Sequence, residues 1–164
     1  MPGRTLSIII PAYCEAGNIL PTLENVTSAL TGLPITYEIR VIDDGSTDGT
    51  ADLVRANAAR FGNVRLLVNP RNMGFGWTYR RGVEAAACDH IVMVHGDNAW
   101  GAETLRTFFE RTGDADVIIG FTRGMWRSRP WNRTLASKAF RVKNAVDVFK
   151  TLVRLYGLQR GLAK

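Results

Sequence analysis

The stretch Ile39–Thr50, IRVIDDGSTDGT, ends an apolar, strand-like run in two adjacent carboxylates, Asp43 and Asp44, with a third, Asp48, close behind. Neighbouring aspartates at the end of a buried strand repel one another and are costly to desolvate, so partners are required. A carboxylate there accepts hydrogen bonds from N–H and O–H groups of a ligand, and a nucleobase edge and a ribose both present such donors. Gly45 and Gly49 allow a tight turn and a close backbone approach. Asp48 or Ser46 is also placed to cap a following helix, a structural role that uses one or two of these acids but not all three.

The second candidate is VHGDNAW, residues 94–100, where Asp97 stands just past an apolar strand. A single carboxylate suits Mg²⁺ or Mn²⁺ that also takes phosphate oxygens, because such ions use few protein ligands and rely on substrate. His95 is open to three readings: a ribose contact, a metal contact, or neither. The remaining phosphate charge needs cations, and Arg123, Arg127, Arg129 and Arg133 could supply them.

These residues need a scaffold that brings loop after loop to one edge. The apolar runs 6–11, 37–43, 64–69, 90–95 and 115–121 read as strands, the first a continuous β-branched run suited to burial on both faces. Between them, 18–30, 48–59, 74–87 and 103–111 carry helical spacing. Such alternation predicts an α/β fold with a mostly parallel sheet flanked by helices on both faces. Ligands in such sheets bind beyond the carboxyl ends of the strands, where PAYCE, DDGSTD and HGDN all fall.

The 164 residues suit one domain with a proper core, 46% hydrophobic and 22% charged. No apolar run approaches the roughly 18 residues of a membrane span, and the N-terminus lacks a signal-peptide pattern, so a cytosolic protein is expected. Cys14 and Cys88 form no metal spacing or disulfide framework and are read as reduced and semi-buried. Charge divides the chain: residues 1–122 carry net −4 and residues 123–164 net +10. The expected organisation is an α/β core over 1–122 and, within the same domain, a basic loop and amphipathic helix over 123–164. The basic segment points to an anionic partner. Nucleic acid is excluded on the ground that Asp43, Asp44 and Asp97 would repel its backbone.

In order and spacing, IIIPAYCEAGNI, EIRVIDDGSTDGT, NMGFGWTYRRGVEAA, HIVMVHGDNAW and ADVIIGFTRG resemble inverting family 2 glycosyltransferases, most closely the polyprenyl- or dolichyl-phosphate mannose synthase-like branch. The resemblance covers about residues 6–145 and implies the GT-A fold, a GDP- or UDP-linked sugar donor and Mg²⁺ or Mn²⁺. It implies that Pro11, Ala12, Tyr13 and Glu15 line the nucleotide pocket, with Tyr13 against the base or ribose. Asp44, with Asp43 beside it, would hold base and ribose. Asp97 would bind the metal bridging the diphosphate and act in catalysis, with His95 and Gly96 beside it. Arg123 and Arg133 would lie near the diphosphate or a phosphate-bearing acceptor.

The sequence departs from the family pattern in three places. His95 replaces the first acid of the Asp-x-Asp motif, Ala99 stands where a metal-binding Gln is common, and no acceptor-side Ser-Gly-Phe-like turn follows Asp147. The resemblance implies transfer of the sugar, with inversion, to an acceptor such as a polyprenyl phosphate. The basic segment would then lie at the inner face of a membrane, where each Lys or Arg near anionic lipid adds about 1 kcal/mol. The alternative is a truncated, non-catalytic nucleotide-sugar-binding domain. A short chain also leaves a sheet edge that a homodimer could cover. Trp77, Trp100 and His90 are expected to be structural, and the Asn25 and Asn132 glycosylation motifs are expected to go unused in the cytosol.

Overall fold

The computed structural model describes residues 4–118. Four strands, β1 (Arg4–Ala12), β2 (Ile35–Asp43), β3 (Val64–Val68) and β4 (His90–Met93), alternate with four helices, α1 (Ile19–Leu30), α2 (Thr50–Asn57), α3 (Phe75–Ala85) and α4 (Ala102–Phe109). A short 3₁₀ turn, Ala58–Phe61, follows α2. All strand pairings are parallel and the order is β3-β2-β1-β4. The chain therefore builds outward from β1 on one side, then returns to place β4 on the other.

β1 shows why its apolar run is unbroken. Leu6, Ile8, Ile10 and Ala12 join Ile39 and Val41 in a core completed by Ile19, Leu23, Val26 and Leu30 of α1, Val54 of α2, and Leu105 and Phe109 of α4. The other face of the sheet packs on α3. There a Cβ added to Gly82 would lie 2.3 Å from Ile9 Cγ2 and 3.1 Å from Ile42 Cγ1, so the helix seats on the sheet only because residue 82 lacks a side chain. Burial on both faces leaves no position in the middle of β1 for an unpaired polar group. The one polar residue there, Ser7, donates to Glu38 Oε1 at 2.7 Å.

Glu38 anchors a polar patch beneath α3. Arg40 Nε and Nη2 reach its two oxygens at 2.9 and 2.8 Å, and the Ala87 N–H adds a bond of 2.8 Å. Burial by itself would raise the Glu38 pKa, but the bonds from Arg40, Ser7 and Ala87 outweigh it and hold it at about 2.

The strand register levels the carboxyl ends. Ala12 pairs with Asp43, and Asp43 with Val68. In α1 the apolar positions fall on one buried face, and Pro21 sits in the first turn, where a missing N–H is tolerated. The predicted helices and first four strands are all present. The fifth is not formed over Ala115–Ile118, which carry no strand, and Val117 is 63% exposed. The rest of that run, the basic loop and the amphipathic helix lie outside the described residues.

Two further expectations need correction. Trp77 is 52% exposed rather than packed, because its side of α3 turns away from the sheet. Cys14 is exposed rather than semi-buried, in a loop beyond β1 where it adopts φ 55°. Trp100 does pack, stacking on Phe108 at 5.8 Å, and His90 Nδ1 meets Thr5 O at 3.1 Å. Among the described residues no helix is long and apolar enough to cross a membrane.

Candidate active site

Three loops meet at the carboxyl ends of the strands, and the DDGSTDGT segment is their hub. Ser46, Asp48 and Thr50, spaced two apart, accept the consecutive N–H groups of the loop after β1. Cys14 N–H donates to Ser46 Oγ, Glu15 N–H to Thr50 Oγ1 and Ala16 N–H to Asp48 Oδ2, each at 2.9 Å. Asp48 Oδ1 also takes the Thr50 N–H at 3.0 Å, so this acid secures both the start of α2 and the neighbouring loop. Its bonds from Thr50 and Ala16 lower its pKa.

Asp44 does the same on the other side. Its Oδ1 accepts from Asn69 Nδ2 at 2.7 Å and Met73 N–H at 2.8 Å, and its Oδ2 from Gly74 N–H at 2.9 Å. Burial would raise its pKa, but the donors from Asn69, Met73, Thr78 and Gly74 outweigh that and lower it. The carboxylate thus sits at the amino end of α3, where a helix favours negative charge. It also draws residues 69–74 across Gly45. A Cβ at Gly45 would lie 2.5 Å from the Arg71 carbonyl carbon, so glycine is required there for clearance as well as for its φ of +71°.

Asp43 is different. It is fully buried, its Oδ2 accepts the Ser46 N–H at 3.1 Å, and its Oδ1 has no partner among the described residues. Of the two adjacent acids, Asp44 is committed to holding the loops and Asp43 retains a free oxygen.

Between these loops lies a hollow of about 230 Å³ lined by Pro11, Ala12, Tyr13, Asp44, Asn72, Phe75 and Thr78. Tyr13 is 49% exposed and offers its ring at the rim. A larger hollow of about 340 Å³, lined by Tyr37, Glu38, Asn63 and Arg65, lies at the opposite end of the strands and holds none of the other candidate residues. The smaller one is the better candidate, because parallel sheets present ligand-binding loops at their carboxyl ends.

The VHGDNAW loop reaches the same edge from β4. A Cβ at Gly96 would lie 3.1 Å from Pro11 O and 3.2 Å from Ala12 Cβ, so this loop rests directly on the end of β1. That is where strand order reverses, the position at which open α/β sheets form their binding crevice. Asp97 is exposed, with Oδ1 accepting the Ala99 N–H at 3.1 Å. His95 lies in an aromatic row, stacked with Phe75 at 6.0 Å and edge-on to Trp100 at 5.9 Å.

The predicted residues divide accordingly. Pro11, Ala12, Tyr13 and Asp44 line the hollow, and Gly96 and His95 border it through Ala12 and Phe75. Glu15 and Asp43 are not among its lining residues; Glu15 Oε2 accepts from Asn18 Nδ2 at 2.8 Å, at the start of α1. Arg123 and Arg133 lie outside the described residues. Sequence reasoning missed Asn72, Phe75 and Thr78. The signal for them was NMGFGWT, a glycine-interrupted stretch directly after β3, where a ligand-facing loop belongs in a parallel sheet.

No group of three or more His, Cys, Asp or Glu able to enclose a metal occurs among the described residues. A lone carboxylate at the crevice fits a divalent ion that arrives with phosphate oxygens, and does not fit one held by protein alone.

A parallel sheet covered on both faces, with acidic loops and a hollow at the carboxyl ends of its strands, defines an α/β domain of the GT-A type. Comparison with known proteins agrees. The Staphylococcus aureus TarS 1–349 structure in complex with UDP-GlcNAc superposes with TM-score 0.56 at 19% identity, over 76% of this chain and 38% of that one. The mannosyltransferase PcManGT from Pyrobaculum calidifontis, in complex with GDP-Man and Mn²⁺, gives 0.55 at 25% identity, over 64% of this chain and 31% of that one. An undecaprenyl-phosphate 4-deoxy-4-formamido-L-arabinose transferase of Aeromonas hydrophila is 33% identical over 137 residues, 82% of this chain and 41% of its own length. A dolichyl-phosphate beta-glucosyltransferase of Trichomonas vaginalis is 35% identical over 98 residues, 57% of this chain and 29% of its own. This chain thus spans less than half the length of these relatives. The sequence profile of glycosyl transferase family 2 matches residues 7–159, and the chain belongs to that family.

Proposed function

We propose that this domain binds a nucleoside diphosphate sugar with a divalent cation and transfers the sugar, with inversion, to a polyprenyl phosphate. The observation that carries the reading is the convergence at one crevice of the Pro11–Tyr13 edge, the acidic hub of β2 and the Gly96–Asp97 loop of β4. The acceptor is inferred from the relatives, which are named for undecaprenyl- and dolichyl-phosphate transfer.

Each residue has a task. Tyr13 covers the base or ribose from the rim, with Pro11 and Ala12 beneath. Asp43 and Asp44 serve the nucleoside differently: Asp44 lines the pocket while holding the loop that forms its wall, and Asp43 lies buried behind it. Glu15 fixes the start of α1. Asp97 would hold Mg²⁺ or Mn²⁺, which when bound would supply positive charge to the departing diphosphate. His95, stacked on Phe75 of the hollow, lies on the substrate side of the crevice. Arg123 and Arg133 supply positive charge to the diphosphate or to the acceptor phosphate. The bond from the anomeric carbon to the donor phosphate oxygen breaks as the acceptor oxygen attacks from the opposite face. A phosphate acceptor is already an anion, so no general base has to take a proton. Its lipid tail would keep the protein peripheral at a membrane surface, with the basic residues of 123–164 against anionic headgroups.

Calorimetric titration of GDP, UDP and their sugars with and without Mn²⁺, on the wild type and Asp97→Ala, tests the donor site. Metal-dependent binding of one nucleotide, lost in Asp97→Ala, is the expected result and names the base. Turnover with polyprenyl phosphate then tests transfer; binding without turnover favours a nucleotide-sugar-binding domain. No binding of either nucleotide to the wild type overturns the reading.

A further inference from the structure

The loop carrying Asp97 is held from below by α1. Asn25 Nδ2 donates to Asn98 Oδ1 at 2.8 Å. One turn earlier, the Thr22 hydroxyl lies 3.1 Å from Gly96 O, sharing its proton with Asn18 O at 2.9 Å. The residues on both sides of Asp97 are therefore tied to one helix face. Asn98 adopts φ 55°, a left-handed conformation uncommon outside glycine, so its backbone needs support from its surroundings. With Gly96 pressed on the end of β1, the loop has little freedom. Asp97 itself is exposed and spends Oδ1 on the Ala99 N–H, which leaves Oδ2 without a hydrogen bond among the described residues. Asn25 is part-buried, and no side chain of the hollow touches it through a hydrogen bond.

We infer that Asn25 is a positioning residue for the metal-binding carboxylate: through Asn98 it fixes the conformation in which Asp97 presents its free oxygen to a cation carried by a nucleotide diphosphate. The inference rests on the proposed donor site and deepens it. It also assigns the Asn-Val-Thr stretch a role inside the fold, since the Asn25 amide is engaged with Asn98.

The measurable consequence is confined to the metal. Asn25→Ala removes one neutral hydrogen bond at a part-buried site. It should lower the Mn²⁺-dependent gain in GDP or UDP affinity about three- to tenfold, leaving nucleotide binding in EDTA unchanged. Asn98→Gly, which keeps the left-handed backbone accessible, should show a similar loss. The double variant should lose no more than Asn98→Gly alone, as expected for two ends of one contact. Amide hydrogen exchange supplies a readout without nucleotide: Asn25→Ala should speed exchange at Ala99 and leave the α1 interior unaltered. An unchanged Mn²⁺-dependent gain in Asn25→Ala, or an equal loss with and without metal, overturns the inference while leaving the donor site standing. A wild type with no metal-dependent nucleotide binding overturns both.

Discussion

Asp44 is the sharpest test of how this crevice is built. Replacing it by Asn preserves shape and turns one acceptor oxygen into a donor. The least damaging amide orientation keeps the oxygen facing Asn69 and Met73 and turns the NH₂ toward the Gly74 N–H. The Gly74 N–H retains the Asn72 Oδ1 at 3.0 Å, but the new NH₂ faces a donor in a site only 4% exposed. A buried unpaired donor costs about 1–3 kcal/mol. Losing the anion at the start of α3 adds about 0.3–1 kcal/mol. Asp44→Asn should therefore destabilise the protein by about 1.3–4 kcal/mol in urea unfolding. The melting temperature should fall by about 3–16 °C. Because the folded-state pKa of Asp44 lies below its ordinary 3.8, its stabilisation is full above that value and fades as pH falls below it. The gap between wild type and variant should accordingly narrow in acid. A variant as stable as the wild type within about 0.5 kcal/mol, yet unable to bind nucleotide, would refute the assignment of Asp44 to the loops.

Asp43→Asn should behave oppositely, since its amide can serve Ser46 with the oxygen and occupy the partnerless position with neutral NH₂. Stability should hold or rise by up to about 1 kcal/mol, which thermal melts of the two proteins would read. Gly82→Ala should destabilise by about 1–3 kcal/mol through overpacking against Ile9, despite the better helix propensity of Ala; equilibrium unfolding measures it. Glu38 is held at about 2 against an ordinary 4.5, so its contribution is complete above pH 4.5 and lost as pH falls toward 2. Glu38→Gln should flatten that part of the stability profile, seen in melts taken from pH 5 down to pH 2. Mn²⁺ titrated without nucleotide should give no saturable heat, because one carboxylate makes no metal cage.

Sequence by itself determined the scaffold. Continuous apolar runs such as Leu6–Ile10 can be buried only within a covered parallel sheet, and the helical spacing between them fixed where α1 to α4 form. It also placed the candidate residues together, because polar and glycine-rich clusters directly after strands must fall at one edge of such a sheet. It could not divide the labour among neighbouring acids. Asp43 and Asp44 are adjacent in sequence, but Asp43 turns back to the Ser46 N–H of its own loop and Asp44 reaches across to the loop before α3. Nor could it place His95 in an aromatic row, since its stacking partner Phe75 arrives from another element. The Asn25 bond spans 73 positions of chain, and Gly82 matters because of Ile9, a strand away. Such roles arise only when distant segments compete for the same space and the same donors, which is decided by tertiary packing and leaves no local pattern to read.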